Sequence, residues 1–144
     1  MKVLIDTSVL VAGMLVQHMD HSRALPILSQ ARSGQLNAIV SAHSVAETYA
    51  VMTRLPPPLR VSPKQAWLAI EANVISCMTI HALSAADYRD LIEHLAQHNL
   101  AGGVTYDAVI GWVAMKTQVD QIITFNTKDF RRVVPALSAQ VITP

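Results

Sequence analysis

Short apolar segments rich in Val and Ile alternate along this chain with longer segments that have the 3.6-residue period of a helix. Such alternation predicts βαβ units, in which consecutive strands run parallel and helices cover both faces of the sheet. We therefore expect an α/β fold in three layers, with a parallel sheet of four to five strands flanked by helices. The predicted strands are residues 2–5, 37–40, 77–83, 121–125 and 139–143.

Capping and turn residues set the bounds of the predicted helices. Ser41, Ser62 and Ser84 each precede a helical segment, where a hydroxyl can accept from a free backbone N–H. The segment 54–63, "RLPPPLRVSP", cannot be helical because of its three consecutive prolines. We expect a stiff connector there; a polyproline ligand for a partner domain is the alternative. Helices are predicted at 7–16, 20–33, 42–54, from 63 onward, at 85–99 and at 105–118, with Trp67 and Trp112 on their apolar faces.

Composition narrows the classes of protein that the chain can represent. Its 144 residues, of which 51% are hydrophobic and 15% charged, predict one domain, 1–144, with a well-filled core. The single cysteine, Cys77, excludes an internal disulfide and a thiolate zinc cluster, as is typical of cytoplasmic proteins. Asp6 interrupts the apolar N-terminal stretch, and no run reaches the roughly 18 apolar residues of a membrane span. We therefore expect a cytoplasmic protein without a membrane segment.

Carboxylates and one amide recur near the ends of predicted strands. Asp6 directly follows the first strand, and Glu47 lies two turns into the helix after the second. Asp107 is in the first turn of the helix before the fourth strand, and Asn126 and Asp129 follow that strand. Because open parallel sheets bind ligands beyond the carboxyl ends of their strands, we expect these side chains to converge.

Each of these positions also has a purely structural interpretation. Asp6 can cap a helix, Asp107 can interact with a helix dipole, Glu47 can complete a capping box and Asp129 can be solvated. Convergence would have a cost, because two carboxylates 4 Å apart repel by about 4 kcal/mol at an effective dielectric constant of 20. Such a cluster either shares protons or binds cations, and ligands that are all oxygen favour Mg²⁺ or Mn²⁺. Phosphodiester hydrolysis is a common use of such sites.

Four segments carry a resemblance to a known family: "VLIDTSVLVA", "SAHSVAETYAVMTRL", "TYDAVIGWVA" and "IITFNTKDF". In order and spacing they resemble the PIN-domain ribonucleases, and most of all the VapC toxins of bacterial VapBC toxin–antitoxin modules. The resemblance extends over essentially the whole chain. It implies an endoribonuclease dependent on Mg²⁺ or Mn²⁺, a homodimer, an RNA substrate and a VapB-like antitoxin partner.

The resemblance also implies roles for individual residues. By position in the motifs, the metal-binding carboxylates are Asp6, Glu47 and Asp107. Many relatives have an acid where this chain has Asn126, so either Asn126 or Asp129 is expected to complete the metal site, with Asp129 contributing to catalysis. The hydroxyl of Thr7 or Ser8 is expected to bond to water at the metal, and that of Thr124 to hold the last loop. All three residues are therefore assigned to substrate binding.

Three basic residues, Lys128, Arg131 and Arg132, adjoin the fourth motif. They can hold the phosphates that flank the cut bond. A solvated basic face is an equally good interpretation. The net charge of +1 gives no field over the whole molecule, so RNA binding would depend on such a local patch.

Other functions fit the sequence less well. His94 and His98 have the spacing of a zinc-binding pair, but the glutamate of H-E-x-x-H is absent, so surface histidines are expected. His18 and His21 flank a helix start and are expected to be exposed. A receiver-type signalling module would also be α/β with an acidic Mg²⁺ site. Such modules have paired acids after the first strand and a lysine after the last, and this chain has neither. A catalytically idle PIN-like binding domain is the remaining alternative.

Overall fold

Five parallel strands form one sheet in the computed structural model, which describes residues 1–144. The strand order is β3-β2-β1-β4-β5, so that β1 lies in the centre, and all four pairings are parallel. This confirms the predicted α/β class. The strands are β1 (Lys2–Ile5), β2 (Asn37–Ser41), β3 (Thr79–His81), β4 (Gln121–Ile123) and β5 (Val141–Ile142).

Seven α-helices connect and cover the strands. Ser41, Ser62 and Ser84 cap three of them, each hydroxyl accepting from a backbone N–H in the first turn, as expected. A π-helical turn (Glu71–Ile75) extends the fourth helix, and a 3₁₀ segment (Pro135–Gln140) precedes β5. The α-helices are α1 (Thr7–Met14), α2 (His21–Arg32), α3 (Ala42–Arg54), α4 (Pro63–Ile70), α5 (Ala85–Gln97), α6 (Val104–Thr117) and α7 (Thr127–Val133).

The central strand has both faces buried, which explains its unbroken apolar sequence. Val3 and Ile5 belong to a core cluster with residues of α1, α2, α3 and α4. Leu4, on the opposite face, belongs to a second cluster with residues of α5, α6 and α7. The helices therefore form one layer on each side of the sheet, and the carboxyl ends of β1, β2 and β4 come together at one edge.

Three strands are shorter than predicted. The 121–125 segment supplies only β4 (Gln121–Ile123), and the two outer strands are shorter as well. The 77–83 and 139–143 segments supply only the three residues of β3 and the two of β5. Both are edge strands, which pair on one side only, and Ile80 of β3 is exposed. In an edge strand, therefore, only part of the apolar segment forms hydrogen bonds to the neighbouring strand. The helix α1 also ends two residues before the predicted Val16, which is exposed.

The two tryptophans differ in their environment. The core interpretation of Trp67 is wrong, because its exposed fraction is 50%. The buried residues of α4 are Ala66 and Ile70, four apart, and Trp67 lies on a different face of that helix. Trp112 is half-buried and packs against the second core cluster. None of the helices is long and apolar enough to cross a membrane.

Candidate active site

A cleft of about 390 Å³ lies at the carboxyl edge of the sheet. Asp6 enters it from the end of β1, Glu47 from α3 and Asp107 from the first turn of α6. Asn126, which follows β4, lines it as well. The convergence of these four side chains is the arrangement that the ends of parallel strands make possible.

Asp6 is held in place by neighbouring hydroxyl groups. Its carboxylate is 4% exposed, and Oδ2 accepts from Ser8 Oγ at 2.6 Å and from Thr124 Oγ1 at 2.7 Å. Oδ2 also accepts from the backbone N–H of Ser8 at 3.4 Å, so that Asp6 does cap α1. All three bonds go to one oxygen, which leaves Oδ1 for another ligand. Burial raises the pKa of Asp6, and the bonds from Ser8 and Thr124 oppose that rise.

Asn126 links two further acids of the cluster. Its Nδ2 donates to Asp107 Oδ2 and to Asp129 Oδ2, both at 3.1 Å. Asn126 is the N-cap residue of α7 and Asp129 lies in the first turn, so that both face the same side, as predicted. Asp129 also pairs with Arg132 at 3.3 Å. The amide therefore bridges Asp107 and Asp129, and of Asn126 and Asp129 only Asn126 lines the cleft.

The pKa of Asp107 shows that the acids act on one another. It is raised to about 7, first by burial and then by the negative charges of Asp6, Asp129 and Glu47. The hydrogen bond from Asn126 is the only influence that lowers it. Four carboxylates thus share one electrostatic field, which a bound cation would neutralise.

Glu47 projects from the middle of α3. Ser41 is the N-cap of this helix, as expected, and its Oγ accepts from His43 N at 3.2 Å, so Glu47 does not belong to a capping box. Instead, Glu47 Oε2 lies 3.1 Å from His43 Nε2, one turn earlier on the same helix. Glu47 is half-buried and lines the cleft.

The residues predicted to contact substrate divide into two groups. Thr7 and Ser8 line the cleft, and the buried Thr7 Oγ1 has no hydrogen-bond partner. Thr124 is fully buried, and its hydroxyl also accepts from Asn126 N at 2.9 Å, which fixes the loop after β4.

The basic residues do not line the cleft. Lys128 and Arg132 are exposed on α7. The guanidinium of Arg131 donates to the backbone carbonyls of Ser138 at 3.4 Å and Val141 at 3.0 Å, and so ties α7 to β5. Arg131 therefore has a structural contact that the sequence did not indicate, whereas Lys128 and Arg132 remain predicted phosphate contacts.

Sequence reasoning misjudged the exposure of one histidine of the site and missed another. His18 is half-buried and lines the cleft, contrary to the expected exposure, and its Nδ1 accepts from Asp20 N at 3.1 Å. The second is His43, the partner of Glu47. The four-residue spacing between His43 and Glu47 on a predicted helix was a usable signal for that pair.

The donor set fits a hard divalent cation. It consists of carboxylate and hydroxyl oxygens with an amide, it lies in one negative field, and Thr7 Oγ1 is buried without a partner. No three His, Cys, Asp or Glu side chains stand close enough to form a complete ligand set. Ions of this type keep several waters, so a protein site needs few direct ligands. The ring centroids of His94 and His98 lie 4.1 Å apart with the planes tilted by 31°, and no third ligand adjoins them.

The fold and the site define a class: α/β proteins with a parallel sheet and a cluster of acidic side chains at the carboxyl ends of its strands. The family model described as the PIN domain matches residues 3–134. The chain therefore belongs to the PIN-domain family.

Individual relatives agree with this assignment. Ribonuclease VapC40 of Mycobacterium tuberculosis is 42% identical over 111 residues, which cover 76% of this chain and 75% of that protein. Ribonuclease VapC27 of the same organism is 29% identical over 116 residues, or 81% of this chain and 79% of the relative.

Solved structures share the fold at lower identity. M. tuberculosis VapC20, described as a sarcin–ricin loop cleaving toxin, superposes with a TM-score of 0.70 at 17% identity and covers 88% of this chain and 92% of its own. Rickettsia felis VapBC2, bound to a DNA fragment from its promoter, gives a TM-score of 0.65 at 19% identity, covering 100% and 98%. FitAcB from Neisseria gonorrhoeae gives 0.63 at 19% identity, covering 98% and 95%.

Proposed function

We propose that this protein is a VapC-type endoribonuclease, the toxin of a VapBC toxin–antitoxin module, and that it cuts RNA in the acidic cleft with Mg²⁺ or Mn²⁺. Its family and its 42% identity to a VapC ribonuclease support the activity. The observation that carries the metal dependence is that Asp6, Glu47 and Asp107 line one cleft. Burial and then the charges of the other carboxylates raise the pKa of Asp107 there to about 7.

Asp6, Glu47 and Asp107 would hold the cation, with Asn126 or Asp129 as the fourth contributor. A divalent ion in such a site supplies Lewis-acid stabilisation of charge for the attack of water on a phosphodiester. Ser8 and Thr124 orient Asp6 by donating to its Oδ2. Asn126 orients Asp107 and Asp129 together, since its amide donates to both. The protein thus contributes preorganised charge and position.

Thr7 would contact the substrate or its attacking water, as the family resemblance implies. Its buried hydroxyl has no partner within the protein, and it lines the same cleft as Asp6 and Asp107. A hydroxyl can both donate and accept, so it can hold water or a phosphate oxygen. Lys128 and Arg132 on α7 would contact phosphates farther along the RNA.

The expected partners follow from the same family assignment. A VapB-like antitoxin would bind and inhibit this protein, and the VapBC2 complex shares its fold. We also propose that the protein forms a homodimer and acts in the cytoplasm, where its RNA substrate is found.

The test is cleavage of single-stranded RNA by the purified protein with Mg²⁺ or Mn²⁺, compared with EDTA. Asp107→Asn removes a charge from the cluster at nearly constant volume and should abolish cleavage. Asp87→Asn is the matched control, because Asp87 lies on α5 and pairs with Lys116 at 2.6 Å, outside the cleft. Equal cleavage in EDTA, or by Asp107→Asn, would contradict the proposal. If the wild-type protein binds RNA but does not cut it, the idle PIN-like binding domain is the better assignment.

A further inference from the structure

Two aromatic rings stack on each other beside the acidic cleft. The rings of His43 and Tyr106 are parallel within 1°, with their centroids 5.1 Å apart. His43 lies on α3 one turn before Glu47, and Tyr106 lies on α6 directly before Asp107. The stack therefore joins the same two helices that carry two of the acids.

The stack also has a polar link to the site. His43 Nε2 lies 3.1 Å from Glu47 Oε2, so that the imidazole ring is held from two sides. Tyr106 in turn rests on a ring that cannot rotate freely. A fixed aromatic ring loses less conformational entropy on binding a ligand than a mobile one.

Most of Tyr106 nevertheless remains in solvent. Its exposed fraction is 54%, although one of its faces is covered by His43. The structure shows Tyr88 and Tyr49 exposed to a similar degree, but neither stacks on another ring. Tyr106 is thus the exposed tyrosine that is both supported from behind and adjacent to a residue of the cleft.

We propose that the exposed face of Tyr106, supported by His43, is a stacking platform for a nucleobase of the RNA substrate beside the phosphate that is cut. This inference rests on the proposed ribonuclease function. A neutral base can approach the carboxylate-rich rim without charge repulsion, whereas a phosphate cannot unless a cation lies between. Base–aromatic stacking tolerates any base, because every base has a π face.

The experiment compares steady-state cleavage of single-stranded RNA by four variants. Tyr106→Leu removes the ring and should raise KM about 5- to 100-fold, the range expected for the loss of one stacked base, with kcat nearly unchanged. Tyr106→Phe keeps the ring and should stay within about twofold of wild type. His43→Phe keeps a supporting ring but loses the bond to Glu47, so that kcat should fall while KM changes little. Tyr88→Leu, on α5, is the matched control and should match wild type.

A second measurement does not depend on catalysis. The affinity for a fluorescently labelled single-stranded RNA, measured by anisotropy in EDTA, should fall in Tyr106→Leu and not in Tyr88→Leu. Unchanged KM and unchanged affinity in Tyr106→Leu would overturn the platform. A fall in kcat alone would also overturn it, since Tyr106 would then act only through Glu47. If the wild-type protein does not cleave RNA, the ribonuclease function is refuted instead. The anisotropy measurement would still decide whether Tyr106 binds a base.

Discussion

Replacing Thr124 by valine tests whether the hydroxyl groups around Asp6 hold it in place. The substitution nearly keeps the shape of a fully buried side chain and replaces its hydroxyl by a methyl group. That hydroxyl makes two bonds, one donated to Asp6 Oδ2 at 2.7 Å and one accepted from Asn126 N at 2.9 Å. Both partners would lose a bond that the valine side chain cannot replace.

The expected loss of stability follows from these two bonds. A hydrogen bond to a charged group contributes about 1.5–3 kcal/mol and a neutral one about 0.5–1.5 kcal/mol. Thr124→Val should therefore lower the free energy of unfolding by about 2–4 kcal/mol and Tm by roughly 6–15 °C. The bond from Thr124 also lowers the pKa of Asp6, so its loss should raise that pKa further. Metal affinity should then fall by about 10–100-fold, the usual effect of losing a partner of a metal ligand.

The assay is urea unfolding together with cleavage rate as a function of Mn²⁺ concentration. Thr53→Val is the matched control: the Thr53 hydroxyl bonds only to backbone carbonyls within α3, so stability should change by less than about 0.5 kcal/mol. If Thr124→Val were as stable as Thr53→Val and needed no more Mn²⁺ than wild type, the hydroxyls would not position Asp6.

Three further predictions concern the acids. Asp129→Ala should lower the cleavage rate about 10–100-fold, because Asp129 acts through Asn126. Asn126→Asp should retain activity and bind Mn²⁺ more tightly. A wild-type cleavage rate for Asp129→Ala would make Asp129 an ordinary surface acid. Mg²⁺ at ten times its dissociation constant should add about 1.4 kcal/mol to the free energy of unfolding, seen as a higher Tm by calorimetry; an unchanged Tm would argue against convergent ligands. Without metal, the raised pKa of Asp107 stabilises the fold at low pH, and this contribution should be lost as pH rises from about 4 through about 7. Urea unfolding of wild type and Asp107→Asn over this pH range measures it. The difference in the free energy of unfolding between the two should fall as pH rises, and it would not change with pH if the pKa were normal.

The layout of the site was predictable from the sequence because strand ends set it. Asp6, Glu47 and Asp107 could be placed at one edge once the strands were recognised, since parallel strands end on the same side of a sheet. The family resemblance then gave these acids a chemical role. The position of Asn126 and Asp129 on one face of α7 followed from their three-residue spacing.

Tertiary contacts decided what the sequence could not. Nothing near Arg131 in the sequence indicates that its guanidinium bonds to the carbonyls of Ser138 and Val141. Trp67 lies on an apolar stripe, yet the packing of α4 leaves it exposed. The stack of His43 on Tyr106 joins residues 63 positions apart (106 − 43), and no local pattern predicts such a contact.

Direct titration of Mn²⁺ into the metal-free protein tests the central claim, that the carboxylates at the carboxyl edge of the sheet form one cation site. Calorimetry at pH 7 should show binding to the wild-type protein and to Asp87→Asn, whose substitution lies outside the cleft. The same titration should show little or no binding to Asp107→Asn, because that variant lacks the charge on which the other three acids act. Equal Mn²⁺ affinity in Asp107→Asn and wild type would contradict the account.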